Sequence, residues 1–123
     1  MTRRGLFAPL LGLAAAACSP LSLLNAVGPR DRGAGRIARD LPYGDDPRQK
    51  MDVYAPAQAA NLPILVFFYG GGWDSGDRKD YGWAAQALAA RGFVVFVPDY
   101  RLVPQVHFPA FIQDAAEATA RAS

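Results

Sequence analysis

From Ile64 to Tyr69 the chain runs Ile-Leu-Val-Phe-Phe-Tyr without a polar side chain, then breaks into Gly70-Gly71-Gly72-Trp73. An apolar run of this length, rich in β-branched and aromatic residues and closed by glycines, predicts a strand buried on both faces. Phe93 to Val97 (FVVFV) is a second such run, ended by Pro98. Between them Tyr81, Ala84, Ala85 and Leu88 recur at i, i+3, i+4 and i+7, the single apolar face of a helix over residues 81–91. Asp77 or Asp80 can cap its start, and Gly92 follows its last turn, where a helix end prefers glycine. Strand, helix and strand in this order predict a right-handed crossover joining a parallel pair.

Upstream, Gly35 to Tyr43 and Lys50 to Tyr54 are short extended segments flanking Gly44-Asp45-Asp46-Pro47, a turn composition. They predict a leading hairpin. Downstream, Asp99 to His107 is a proline-marked loop, and Pro109 suits the first turn of a closing helix. Phe108, Phe111, Ile112, Ala115 and Thr119 would form that helix's inner face. Ser19 to Gly35, with Pro20, Gly28, Pro29 and Gly33 and no sustained period, reads as a linker. The pattern is α/β: two leading strands, then strand, helix, strand, helix, in one domain over residues 35–123 behind a linker at 18–34. No internal repeat or low-complexity tract interrupts it.

The first residues have a different character. Arg3-Arg4 precede an apolar stretch from Leu6 to Ala17, and small alanines lead to Cys18. This is the pattern of an export signal over residues 1–17, too short for a comfortable membrane span. Thr2-Arg3-Arg4-Gly5-Leu6-Phe7 is also close to a twin-arginine pattern, so either export route fits. Ala15-Ala16-Ala17-Cys18 resembles a bacterial lipobox, with Ala15 where Leu or a branched residue is usual. On that reading Cys18 becomes a lipidated N-terminus attached to a membrane, in the periplasm. An ordinary secretory signal with an incidental cysteine is the alternative.

Composition narrows the chemistry. With 51% apolar and 20% charged residues, the chain is globular rather than disordered. Two of its 13 basic residues are Arg3 and Arg4, so beyond the signal 11 basic face 11 acidic residues. No basic cluster remains to bind nucleic acid. The single cysteine rules out an intramolecular disulfide and a multi-cysteine zinc site, and a lone His107 rules out a histidine-cluster metal site.

The glycine loop is the candidate site. Without Cβ atoms its backbone can take positive φ and approach a ligand closely, and the ends of parallel strands are where open α/β sheets bind ligands. A tight strand-to-helix turn is the plainer reading. A nucleotide site fails on spacing: G-x-G-x-x-G from Gly70 and Gly72 would need glycine where Ser75 stands. A phosphate loop on Gly71 and Gly76 meets Asp77-Arg78 instead of Lys and Ser or Thr.

Tyr69-Gly70-Gly71-Gly72-Trp73, Ser75-Gly76-Asp77-Arg78, Pro98-Asp99-Tyr100-Arg101-Leu102, Phe108-Pro109-Ala110 and, upstream, Gln49 to Pro56 resemble the α/β-hydrolase esterases and lipases of the hormone-sensitive-lipase and carboxylesterase type. That family's third strand ends in an HGGG-type loop whose backbone N–H groups form the oxyanion hole. The resemblance implies the N-terminal portion of such a sheet over residues 35–123. It implies Gly71 and Gly72 as oxyanion donors, a small-molecule ester as substrate and no cofactor. Tyr69 stands where the family usually has His; it would order the loop, or be a packed aromatic. Gly70 belongs to the same loop, and Trp73 would pack against it or wall an acyl pocket. Asp99 and Arg101 would form a structural ion pair or loop clamp, or touch substrate. Ser75 lacks a G-x-S-x-G elbow and His107 reads as structural, so the Ser, Asp or Glu, and His triad is expected beyond Ser123. The expected function is that of a carboxylic ester hydrolase whose 123 residues alone are inactive. An arylformamidase-like amide hydrolase and a non-catalytic remnant or lipid-anchored binding protein are the alternatives. The resemblance also sets the strand at 64–69 between that at 93–97 and one not among these residues. An apolar edge is then expected, with an insoluble or dimeric isolated chain.

Overall fold

The computed structural model describes residues 20–58 and 60–123. The expected signal and the lipidation of Cys18 lie outside the described residues.

The leading hairpin forms as its pattern predicts. β1 (Ala34–Pro42) and β2 (Lys50–Pro56) pair antiparallel, from Ala34 opposite Pro56 to Pro42 opposite Lys50. In the connecting turn the Tyr43 N–H donates to the Gln49 carbonyl at 2.9 Å. Asp46 Oδ1 accepts the Arg48 N–H at 2.9 Å, a local bond typical of aspartate in turns. β2 is buried from Met51 to Ala55, because strands flank it on both sides.

β3 (Ile64–Val66) and β4 (Val94–Pro98) form the predicted parallel pair, with Ile64 opposite Val94 and Val66 opposite Phe96. β4 also pairs antiparallel with β2, from Met51 opposite Pro98 to Tyr54 opposite Val95. The sheet order is β1-β2-β4-β3. A 3₁₀ turn (Arg78–Tyr81) and a helix (Gly82–Ala89) make the crossover. Asp77 caps the turn by accepting the Lys79 N–H at 2.8 Å.

Three expectations are corrected. The strand expected over 64–69 is shorter and lies at the sheet edge, so it is not buried on both faces: Ile64 and Phe68 are exposed. Its only partner among the described residues is β4, and pairing continues past Val66 through the Phe67 N–H to the Phe96 carbonyl at 2.8 Å. The segment read as linker contains a helix, α1 (Pro20–Val27), which buries no residue. Two turns are too short to establish a period. Side-chain bonds hold it instead: Asn25 donates to the Lys79 carbonyl at 2.7 Å and accepts the Trp83 N–H at 3.2 Å. With α1 counted, the crossover helix is α2 and the closing helix is α3 (Ala110–Ala122). Its buried residues are Phe111, Asp114, Ala118 and Ala122, whereas Phe108, Ile112 and Thr119 are exposed. The helix turns its inner face to an acid because Asp114 has buried partners, described below.

The core lies between sheet and crossover: Tyr54, Tyr69, Ala85, Ala89, Val95, Val97 and Tyr100, flanked by Leu65, Phe67, Tyr81 and Leu88. Small alanines on α2 let the helix sit close to the sheet, and aromatic rings fill the space beyond. No helix among the described residues is long and apolar enough to cross a membrane.

Candidate active site

The loop after β3 carries a run of unusual backbone. Gly71, Gly72 and Trp73 have φ of 147°, 62° and 68°. A Cβ on Gly71 would drive into the Ser75 carbonyl, whereas one on Gly70 would meet open space. Only glycine fits position 71; at position 70 the structure demands none. The loop closes on itself, for the Asp74 N–H and the Ser75 hydroxyl both reach the Gly71 carbonyl, at 3.2 and 2.9 Å. Among the described residues no acceptor takes the N–H of Gly71 or Gly72. Two backbone donors at a strand end can therefore serve a ligand oxygen.

Tyr69 anchors this loop from beneath. It is buried, and its ring stacks between Tyr81 and Tyr100, with centroids 5.1 Å away on each side. Its hydroxyl donates to Asp99 Oδ1 and accepts from Arg48 Nη2 at 3.0 Å. Burial pushes the hydroxyl pKa well above the usual tyrosine value. The bond to Asp99 and its charge add to the rise, and Arg48 opposes it. The group is a fixed donor at any working pH. The two sequence readings of Tyr69 thus coincide: it is a packed aromatic whose hydroxyl ties the loop down. The Tyr69 carbonyl in turn accepts the Tyr100 hydroxyl at 2.8 Å.

Asp99 and Arg101 do not pair with each other. Asp99 accepts the Arg78 backbone N–H at 2.8 Å and binds Nη1 of the Arg78 guanidinium. Arg101 instead grips Asp114 of α3 through Nη2 at 2.7 Å and Nε at 3.0 and 3.2 Å. Gln49 Nε2 adds a bond to Asp114 at 3.0 Å. Burial pushes the Asp114 carboxyl upward, but bonds from Arg101 and Gln49 outweigh this and hold it below its ordinary value. The pair fixes α3 against the end of β4.

Two arginines complete the support, and sequence reasoning gave neither a role. Arg78 is buried and bonded to three carboxylates, Asp40, Asp52 (3.1 Å) and Asp99. Desolvation lowers its pKa, but Asp52 and Asp99 more than reverse that, so it stays a cation. A signal for it existed: Asp52 stands inside the apolar strand Met51-Asp52-Val53-Tyr54, and a buried carboxylate there requires a cation. Arg48 reaches the Tyr100 carbonyl at 2.8 Å, the Tyr69 hydroxyl and the Gly76 carbonyl at 2.9 Å, clasping both ends of the glycine loop. It leaves no such signal, since its partners lie far along the chain, at the two ends of the glycine loop and just past β4.

Trp73 stacks on Phe111 (4.9 Å) and meets Tyr100 edge-on (5.3 Å), with nearly half its surface still exposed. Its ring thus packs on Tyr100 and Phe111, the second of these from α3. Ser75 donates its hydroxyl to the Gly71 carbonyl rather than to a histidine, and His107 is exposed in the turn before α3. Neither assembles a nucleophile. Among the described residues no group of three or more His, Cys, Asp or Glu could hold a metal ion.

Comparison with known proteins bears on the same elements. Residues 51–120 match the protein-family model BD-FAE. The chain is 40% identical over 87 residues to esterase LipC of Mycobacterium tuberculosis, covering 67% of this chain and 21% of that one. It is 34% identical over 91 residues to a probable isoprenylcysteine α-carbonyl methylesterase of Oryza sativa, covering 71% and 21%. It is 30% identical over 86 residues to the kynurenine formamidase of Danio rerio, covering 69% and 29%. The chain thus spans only a fifth to three tenths of these relatives' length. Among solved structures, esterase B of Lactobacillus rhamnosis superposes with a TM-score of 0.73 at 28% identity, over 80% of this chain and 32% of that one. EstE7, a hormone-sensitive-lipase homologue from a metagenome library, gives 0.65 at 29%, over 83% and 33%.

Proposed function

The chain belongs to the BD-FAE family, within the α/β-hydrolase esterases and lipases, and from that premise we propose that it carries the oxyanion-binding part of a carboxylic ester hydrolase. The observation that carries this reading is the pair of uncommitted N–H groups on Gly71 and Gly72, held in left-handed backbone above the bond from Tyr69 to Asp99. Acyl transfer passes through a tetrahedral intermediate bearing a negative oxygen. A fixed donor about 2.7–3.1 Å from that oxygen contributes roughly 3–4 kcal/mol. These amides need no reorganisation to serve it, because the Arg48 and Asp99 bonds have already fixed the loop.

The nucleophile, in this reading, is a serine outside these 123 residues, which contain no G-x-S-x-G elbow. Without it the amides cannot run an acyl-enzyme route. The exposed face of Trp73 would then border the acyl group. Formamide hydrolysis uses the same donors, and the likeness to a kynurenine formamidase favours it as the second reading. Export with lipidation at Cys18 completes the proposal. Loss of palmitate labelling in Cys18→Ala, with labelling present in the parent, is its expected signature.

The test is turnover of p-nitrophenyl acetate by the protein read on through its frame past Ser123. Activity abolished by a serine-directed phosphonate is expected. An extended protein with an elbow serine and no turnover of esters or formamides would refute the reading.

A further inference from the structure

A cavity of about 230 Å³ lies where α1, the start of β1, β2 and the 3₁₀–α2 junction meet, and none of its lining residues belongs to the glycine loop. Its walls carry Arg30, Arg36 and Lys79 together with Tyr54, Asn25 and Gln86, with three cations and no carboxylate among them. It has room for several waters, or for a tetrahedral anion with part of its shell or an attached group.

The two amides are committed to building the walls. Asn25 bridges α1 to the Lys79 carbonyl and the Trp83 N–H, and Gln86 Nε2 donates to the carbonyls of Asp31 (2.6 Å) and Ala34 (2.7 Å). The charged groups have donors to spare. The Lys79 ammonium makes no hydrogen bond or ion pair among the described residues. Arg36 is 3.5 Å from Asp52 through Nη1, and Arg30 reaches the Asn25 carbonyl through Nη2. Each guanidinium has five N–H groups, so most remain. Burial pushes the Tyr54 pKa up against the lowering influence of Arg36 and Arg30, so its hydroxyl stays a donor at neutral pH. Gly82 keeps the floor open, since a Cβ there would lie 2.9 Å from that hydroxyl.

Three cations line one cavity, and of these only Arg36 faces a carboxylate, Asp52 at 3.5 Å, while Arg30 and Lys79 have none among the described residues, so the lining suits a multiply charged oxyanion, for which charge-assisted hydrogen bonds are strongest. We propose that this cavity binds a phosphate group, free or as part of a phospholipid headgroup or phosphomonoester.

The experiment titrates the full chain with inorganic phosphate, using sodium chloride at matched ionic strength as reference, by calorimetry and thermal shift. Saturable binding is expected, weakened about tenfold or more in Arg30→Gln/Lys79→Gln, which removes about 1.4 kcal/mol or more. Gly82→Ala should weaken it too, by filling the floor rather than removing charge. Arg91→Gln, outside the cavity, should bind as the parent does; circular dichroism checks that each variant is folded. Vesicles containing phosphatidylglycerol, against phosphatidylcholine alone, separate the sources. Capture by the former, lost in the double variant and competed by phosphate, assigns a headgroup, and phosphate binding without capture assigns a soluble phosphate. No saturable binding to phosphate or vesicles, or an equal loss in Arg91→Gln, would overturn the proposal.

Discussion

The Tyr69 hydroxyl donates to Oδ1 of Asp99 across a separation of 30 residues, joining the end of β3 to the end of β4 beneath the glycine loop. Asp99 is itself held by Arg78, so the loop rests on a chain of buried charges rather than on apolar packing alone. Tyr69→Phe should keep the stack with Tyr81 and Tyr100 but leave Asp99 and Arg48 each short of a bond. A loss of about 1.5–3 kcal/mol is expected for bonds to charged groups, read as a lower urea midpoint at unchanged slope. An unchanged midpoint would mean that the ring alone matters.

Arg78→Met should be far more damaging, because it leaves buried Asp52 with Arg36 at 3.5 Å as its only cation and buried Asp99 with Arg48 at 3.7 Å as its only cation beside the Tyr69 hydroxyl, while half-exposed Asp40 is freed to water. Breaking a buried pair from one side costs about 3–5 kcal/mol, a large share of a small domain's stability. Arg78→Lys should recover little, since an ammonium cannot serve three carboxylates with the geometry of a guanidinium. Far-ultraviolet circular dichroism and thermal melts distinguish these outcomes.

Neighbouring glycines should respond in opposite ways. Gly71→Ala forces a side chain against the Ser75 carbonyl at φ 147°, a strain of about 1–3 kcal/mol or a rebuilt loop. Gly70→Ala meets open space and should leave stability within about 0.5 kcal/mol. Paired melts of the two variants measure the contrast; equal effects would mean that the loop is not built as described.

Strong acid should loosen α3. The Asp114 pKa is lowered in the folded chain, so its contribution is present above the unfolded value of about 3.9 and lost as pH falls through the lower folded value. In Asp114→Asn, stability should fall less between about pH 4 and pH 2 than in the parent. Amide exchange across residues 110–122 should report the difference.

The exposed edge at β3 predicts self-association. Ile64 is 50% and Phe68 41% exposed on or beside a strand that, among the described residues, is paired on one side only. An apolar edge of this kind templates pairing with another chain. Light scattering should find the 123-residue chain dimeric or larger, and Ile64→Lys/Phe68→Lys should shift it toward monomer. A monodisperse, cooperatively melting parent monomer would contradict this.

The hairpin, the crossover and the glycine loop were legible because each is written in local pattern: turn residues between short strands, one apolar helical face, glycines closing an apolar run. The family resemblance rested on the same contiguous segments. The sequence by itself thus determined the order of the elements from β1 onward and where the loop lies, but not α1, which it showed only as a linker. Tertiary structure alone decided which charges meet. Asp99 chose Arg78 over Arg101, Arg101 chose Asp114, and Arg48 reached three carbonyl or hydroxyl oxygens from distant segments. It also turned α3 by a face, because a buried carboxylate goes where its cation is, whatever the apolar periodicity of its helix suggests. Hydrophobic period is a property of neighbours along the chain, whereas ion pairing in a core depends on which strand ends are brought together, and that is fixed only when the sheet is complete.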